Sequence, residues 1–205
     1  MRAKICGITD VEDALYAIGQ GTWALGFNFY SQSPRYIEPS AAKHLIRQLP
    51  TSVLKVGIVM DASPAELDDL MTNVGLDLVQ VYADEGDVPL ALKKRMILAL
   101  QASTVDELPP ECTLNEYAYL LLDAPKRADG LMGGTGRVGN WTLASALART
   151  YRLILAGGLT VENIQSAMRM VRPYAVDVAS GVQRIPGRLD YQLVKDFLNR
   201  VNDEQ

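Results

Sequence analysis

The sequence predicts an α/β protein, a single parallel eight-stranded (β/α)8 (TIM) barrel, on three observations. Short apolar runs alternate with helical patterns from one end of the chain to the other. Each run is nearly continuous in apolar residues, as expected for parallel strands covered on both faces. Eight such units in 205 residues fit a compact barrel of this kind, at its lower size limit. A doubly wound open sheet is the main alternative. No Gly/Ser linker or break in composition divides the chain, so residues 1–205 read as one domain.

The strands are expected at Ala3–Cys6, Ala24–Phe29, Leu54–Val59, Leu78–Val81, Met96–Leu100, Tyr119–Leu122, Leu153–Ala156 and Ala175–Val178. Several helices between them carry start signals. Thr9-Asp10-Val11-Glu12 reads as a capping box opening Asp10–Ile18, and Ser63-Pro64-Ala65-Glu66 as another with proline at the first helical position. Thr160 is expected to cap Val161–Arg172, which Pro173 follows, and Asp190 to cap Tyr191–Val201. Ser103 to Glu116 contains Pro109-Pro110 and reads as a loop with at most a short helix.

Composition narrows the functional classes. The net charge is −4 and no Lys/Arg run stands out, which argues against nucleic acid and anionic membrane as partners. Cys6 and Cys112 form no disulfide framework and lack metal-site spacing, so a reducing compartment, the cytoplasm, is the simpler reading. The N-terminus shows no secretory h-region, and no apolar run is long enough to span a bilayer. His44, the one histidine, falls in a helical pattern and reads as solvated, which removes His-rich metal sites and a Ser-His-Asp triad. Neither a cofactor nor a metal is expected. The exposed helices show no long apolar stripe, so a monomer or weak homodimer is expected.

In a parallel α/β barrel the chemistry sits at the C-terminal ends of the strands. Cys6 ends the first strand and is a plausible proton-abstracting base. Lys4 shares its face by the two-residue strand period; it is either a Schiff-base lysine or, one layer below the rim, a structural charge partner. The long loop after the second strand carries Arg35, which could clamp a carboxylate in bidentate fashion. Asp123 follows three leucines, at a border of core and solvent that can raise a carboxyl pKa and make it a proton donor. The loop beyond holds Gly133-Gly134-Thr135-Gly136. Gly157-Gly158-Leu159 follows the seventh strand and Ser180-Gly181-Val182 the eighth. Backbone N–H groups at these two adjacent strand ends make a phosphate cradle, pointing to a phosphorylated small molecule.

Together these segments resemble the phosphoribosylanthranilate isomerase family of tryptophan biosynthesis. The resemblance rests on Lys4-Ile5-Cys6-Gly7-Ile8-Thr9, Gly26-Phe27-Asn28-Phe29-Tyr30, Ser33-Pro34-Arg35-Tyr36-Ile37 and Leu121-Leu122-Asp123. It continues through Gly133-Gly134-Thr135-Gly136 with Trp141, Ala156-Gly157-Gly158-Leu159, Val176-Asp177-Val178-Ala179-Ser180-Gly181-Val182 and Pro186-Gly187. It implies an Amadori rearrangement of an aldosylamine to an amino-deoxyketose phosphate, with no redox cofactor or metal. Cys6 matches the general base and Asp123 the general acid. Arg35 matches the residue holding the anthranilate carboxylate, and Asp177 an aspartate near the sugar. The backbone around Gly134, Gly157, Gly158, Ser180 and Gly181 matches the phosphate site. Such a base works if the site lowers the thiol pKa modestly. Three positions depart from the family pattern. Tyr82-Ala83 stands where His-Gly is usual, Gly139 where an aromatic residue is usual, and Gln183 where glutamate is usual. A related phosphate barrel with other chemistry, such as a lysine aldolase, and a drifted paralogue that only binds a phosphorylated ligand are the alternatives.

Overall fold

Each of the eight apolar runs forms a strand, and pairing between the first and the last closes them into a barrel. The structure is a computed structural model and describes residues 1–60, 62–82, 88–123 and 140–203. The strands are β1 (Arg2–Cys6), β2 (Ala24–Asn28), β3 (Leu54–Ile58), β4 (Leu78–Val81), β5 (Met96–Leu100), β6 (Tyr119–Leu122), β7 (Leu153–Leu155) and β8 (Ala175–Val178). All neighbours are parallel, so every C-terminal end lies on one rim. The closing β1–β8 register sets Lys4 opposite Asp177, and the β1–β2 register sets Cys6 opposite Gly26.

Two apolar layers follow from the strand alternation. Ala24, Val56, Leu78, Ile97, Leu121, Ile154 and Ala175 fill the barrel interior. Ile5, Leu25, Phe27, Val79, Leu98, Leu120 and Val176 face the helices and join the larger outer core. At the floor, Trp23, Tyr119 and Tyr174 pack edge-on or tilted against one another, with Arg2 above the Tyr174 ring.

The helices are α1 (Val11–Gly19), α2 (Pro39–Ile46), α3 (Pro64–Asp69), α4 (Leu90–Lys93), α5 (Glu111–Leu114), α6 (Trp141–Ala148), α7 (Ile164–Val171) and α8 (Tyr191–Asn202). Ser63 and Glu66 form the expected capping box, and Asp190 accepts from the Gln192 and Leu193 N–H groups. Ser103 to Glu116 holds one 3-10 turn and the single-turn α5, as its prolines require. His44 is exposed on α2.

Two helix starts differ from expectation. Asp10, not Thr9, caps α1, because its carboxylate takes the Glu12 and Asp13 N–H groups while Thr9 Oγ1 donates to the Gly187 carbonyl. The α7 helix begins at Ile164 rather than Val161. There the Asn163 side chain folds back to accept from Thr160 N and donate to Gly158 O, so the chain turns once before the helix starts.

A hairpin of β9 (Gln183–Ile185) and β10 (Arg188–Leu189) lies outside the expected elements. It is pinned to α1 by Arg188 Nη1 to Asp10 Oδ2 at 3.0 Å and by Leu189 N donating to Asp13 Oδ2 at 3.1 Å.

Candidate active site

Lys4 and Cys6 both point into the barrel, as the alternation of β1 requires. Lys4 is fully buried, with Nζ 2.9 Å from Asp177 Oδ1 and 3.2 Å from Gln80 Oε1. Burial works against the ammonium, but Asp177 and then Cys6 overcome it and hold the pKa above its usual value. A lysine kept charged inside the barrel is a structural partner; Schiff-base chemistry needs the neutral amine. Cys6 sits one layer higher and is partly exposed. Room for the thiol comes from Gly26, where an added Cβ would lie 2.9 Å from Sγ. Burial pushes the thiol pKa up; Lys4 and Arg35 pull it down, and Asp177 pushes it further up. The net shift is upward, so the modest lowering that would ease base chemistry is not supplied by the groups around the thiol. The reason is desolvation of the thiolate, which one shared ammonium does not offset.

Arg35 is positioned by its own loop and by the hairpin. Asn28 Oδ1 accepts from Tyr30 N at 2.9 Å, and Nδ2 donates to Ser33 Oγ at 3.1 Å. Ser33 Oγ in turn accepts from Arg35 N at 3.2 Å, a serine turn that follows the Asx-turn of Asn28 and aims the arginine inward. Its Nε donates to Gln183 Oε1 at 2.8 Å, and Gln183 Nε2 donates to the Cys6 carbonyl at 3.1 Å. With Nε engaged, the two terminal nitrogens form the fork that a carboxylate would meet. The guanidinium rides over Gly7, whose φ of 83° suits glycine and where a Cβ would stand 2.5 Å from Arg35 Cδ.

Asp123 is buried at the end of β6, its N–H donating to Leu100 O at 3.0 Å. After β7, Gly157 and Gly158 take φ of 83° and 64°, which turns the chain across the rim. Gly181 permits the neighbouring loop to pass closely, since a Cβ there would lie 2.1 Å from Leu159 O.

These groups meet in one cleft that opens to solvent at the C-terminal rim. Of the residues singled out in the sequence, Cys6, Arg35, Asp123, Asp177, Gly157, Gly158 and Ser180 line it. Gly181 does not line it; its place is behind the wall, against Leu159. Gly134 and Gly139 lie outside the described residues. Asn28, Ser33, Gln80 and Tyr82 also line the cleft, though the sequence assigned them no role. The inward period of β4 was the available signal for Gln80 and Tyr82. Among the described residues, no group of three or more His, Cys, Asp or Glu is placed to hold a metal ion.

Comparison with known proteins points to one family. A family model described as N-(5'phosphoribosyl)anthranilate (PRA) isomerase matches residues 3–200. A protein of Geobacter sulfurreducens named N-(5'-phosphoribosyl)anthranilate isomerase is 41% identical over 201 residues, 98% of each chain. The crystal structure of phosphoribosyl anthranilate isomerase from Thermotoga maritima superposes with a TM-score of 0.84 at 36% identity, over 99% of both chains. A phosphoribosyl anthranilate isomerase in complex with reduced 1-(o-carboxyphenylamino)-1-deoxyribulose 5-phosphate superposes with a TM-score of 0.82 at 35% identity, also over 99% of both chains. On this evidence the chain belongs to the N-(5'-phosphoribosyl)anthranilate isomerase family.

Proposed function

We propose that this protein catalyses the Amadori rearrangement of N-(5'-phosphoribosyl)anthranilate to 1-(2-carboxyphenylamino)-1-deoxyribulose 5-phosphate, a step of tryptophan biosynthesis, with Cys6 as general base and Asp123 as general acid. The observation that carries this reading is the meeting of a thiol on β1 and a carboxyl group after β6 in one cleft. Asp123 in its acid form protonates the ribose ring oxygen, the C1'–O bond breaks, and the nitrogen lone pair gives an iminium. The Cys6 thiolate then removes the C2' proton, and the C–H electron pair forms the enolamine. Tautomerisation yields the ketone, so the reaction is an internal redox exchange between C1' and C2' that consumes no external oxidant. As an aldose-to-ketose conversion, it is an intramolecular oxidoreductase reaction.

Arg35 holds the anthranilate carboxylate through its free fork. Backbone N–H groups of Gly157, Gly158 and Ser180 receive the phosphate, with Gly181 keeping the two loops in contact. Asp177, tied to Lys4, stands by the sugar. Two free thiols, Cys6 and Cys112, suit the reducing cytoplasm.

Fluorescence of the anthranilate moiety follows turnover directly. Purified protein is expected to convert the aldosylamine, and its gene to restore growth of a tryptophan auxotroph lacking this step. Asp123→Asn, which cannot donate as an acid, is expected to lose about 10²-fold or more in kcat. A folded wild-type protein that binds the phosphorylated sugar without turning it over would replace this reading with that of a binding paralogue.

A further inference from the structure

A directional chain of hydrogen bonds ends at Tyr82. The Lys4 ammonium can only donate, so the Gln80 oxygen must face it, at 3.2 Å. That leaves the Gln80 amide nitrogen to donate to Tyr82 Oη, also at 3.2 Å. A phenol that accepts one hydrogen bond still has its own proton to give. Among the described residues, no group accepts it. Tyr82 lines the cleft together with Asp123, Cys6 and Asp177. Burial, and then the negative groups Asp123, Cys6 and Asp177, push the phenol pKa well above its usual value, so it stays protonated and can act only as a neutral donor. A half-buried phenol whose acceptor side is already filled gains stability from any oxygen placed before its proton in the cleft.

We propose that Tyr82 is a substrate-contacting residue whose hydroxyl donates a hydrogen bond to a sugar oxygen of the bound aldosylamine, in a direction fixed by Gln80 and, behind it, Lys4. The proton stays on Tyr82 throughout, so the residue orients the sugar between acid and base and takes no part in proton transfer. Gln80 is a positioning residue that acts through Tyr82. This inference rests on the isomerase reading and deepens it.

The test uses the full chain and its Tyr82→Phe variant, which removes one oxygen and keeps the ring. The probes are the reduced carboxyphenylamino-deoxyribulose phosphate, which carries the sugar oxygens, and inorganic phosphate, which does not. Loss of one hydrogen bond should weaken binding of the reduced analogue about fivefold to tenfold, while the inhibition constant of phosphate stays within about twofold. Gln80→Met should weaken the analogue in the wild-type background and have much less effect when Tyr82 is already Phe. Unchanged analogue binding in Tyr82→Phe would overturn the contact. Equal weakening of analogue and phosphate would also overturn it, by making Tyr82 a structural residue. If the wild-type protein neither binds the analogue nor turns over the aldosylamine, the isomerase reading falls and takes the contact with it. Wild-type turnover with an indifferent Tyr82→Phe refutes the contact alone.

Discussion

At Cys6 two demands conflict. A base must be deprotonated to act, yet burial holds this thiol above its ordinary pKa despite the Lys4 ammonium beneath it. Below the thiol pKa, the thiolate fraction rises tenfold per pH unit. Because kcat/KM reports the free enzyme, the residual kcat/KM of Asp123→Asn, whose amide does not titrate, should climb from pH 7 through the ordinary thiol value of about 8.5 and level off only above it. A plateau already reached by pH 7 would mean that another group is the base. Cys6→Ser should keep the fold and lose about 10²-fold or more, since an alcohol is a far weaker acid than a thiol. Near-normal turnover in that variant would remove Cys6 from the chemistry. Residue identity and inward orientation were legible from Lys4-Ile5-Cys6 alone. The direction of the pKa shift was not, because it depends first on how far the closed barrel desolvates the thiol, and then on Lys4 set against Asp177, which the closing strand brings beside it.

At the scale of elements, the β9–β10 hairpin joins two parts of the site. Gln183 leaves the end of β8, grips Arg35 Nε with its oxygen and the Cys6 carbonyl with its nitrogen. Gln183→Leu removes both bonds without adding bulk. The guanidinium should then lose its fixed orientation, raising KM roughly fivefold to tenfold while kcat stays within about twofold. Steady-state kinetics separate the two parameters, and a fall in kcat at constant KM would show that Gln183 serves the Cys6 backbone instead. The eight barrel strands were readable because burial on both faces leaves each one an apolar run, as in Tyr119–Leu122. The hairpin has no such mark: Arg184 and Ile185 are exposed, so its strands look like loop. The shifted start of α7 was hidden for a related reason. Thr160 and Asn163 both have side chains suited to capping, yet Asn163 stands at the N-cap with its side chain turned back to Thr160 N and Gly158 O rather than onto the helix.

For the whole molecule, closing the barrel gathers ionisable groups in its interior that favour their protonated forms. Lys4, Cys6 and Tyr82 are all raised above their ordinary values, on three positions that face the same axis. The folded protein therefore binds their protons more tightly than the unfolded chain does. Between the unfolded and folded pKa of each group the unfolded state carries fewer protons, so stability falls as pH rises. For Cys6 the stabilisation is complete below about pH 8.5 and is lost as pH climbs through the folded thiol value; Tyr82 and Lys4 extend the loss beyond about pH 10. Each pH unit spent between a group's two values costs about 1.4 kcal/mol, and a kilocalorie moves the melting temperature of a domain this size by about 2–4 °C. Thermal melts at constant ionic strength should show Tm steady from pH 7 to 8 and falling toward pH 10. The fall should be shallower in Cys6→Ala, whose interior lacks the first group to titrate. If Cys6→Ala and wild type lose Tm in parallel across that range, the thiol is not held protonated by the fold, and the alkaline loss belongs to groups elsewhere.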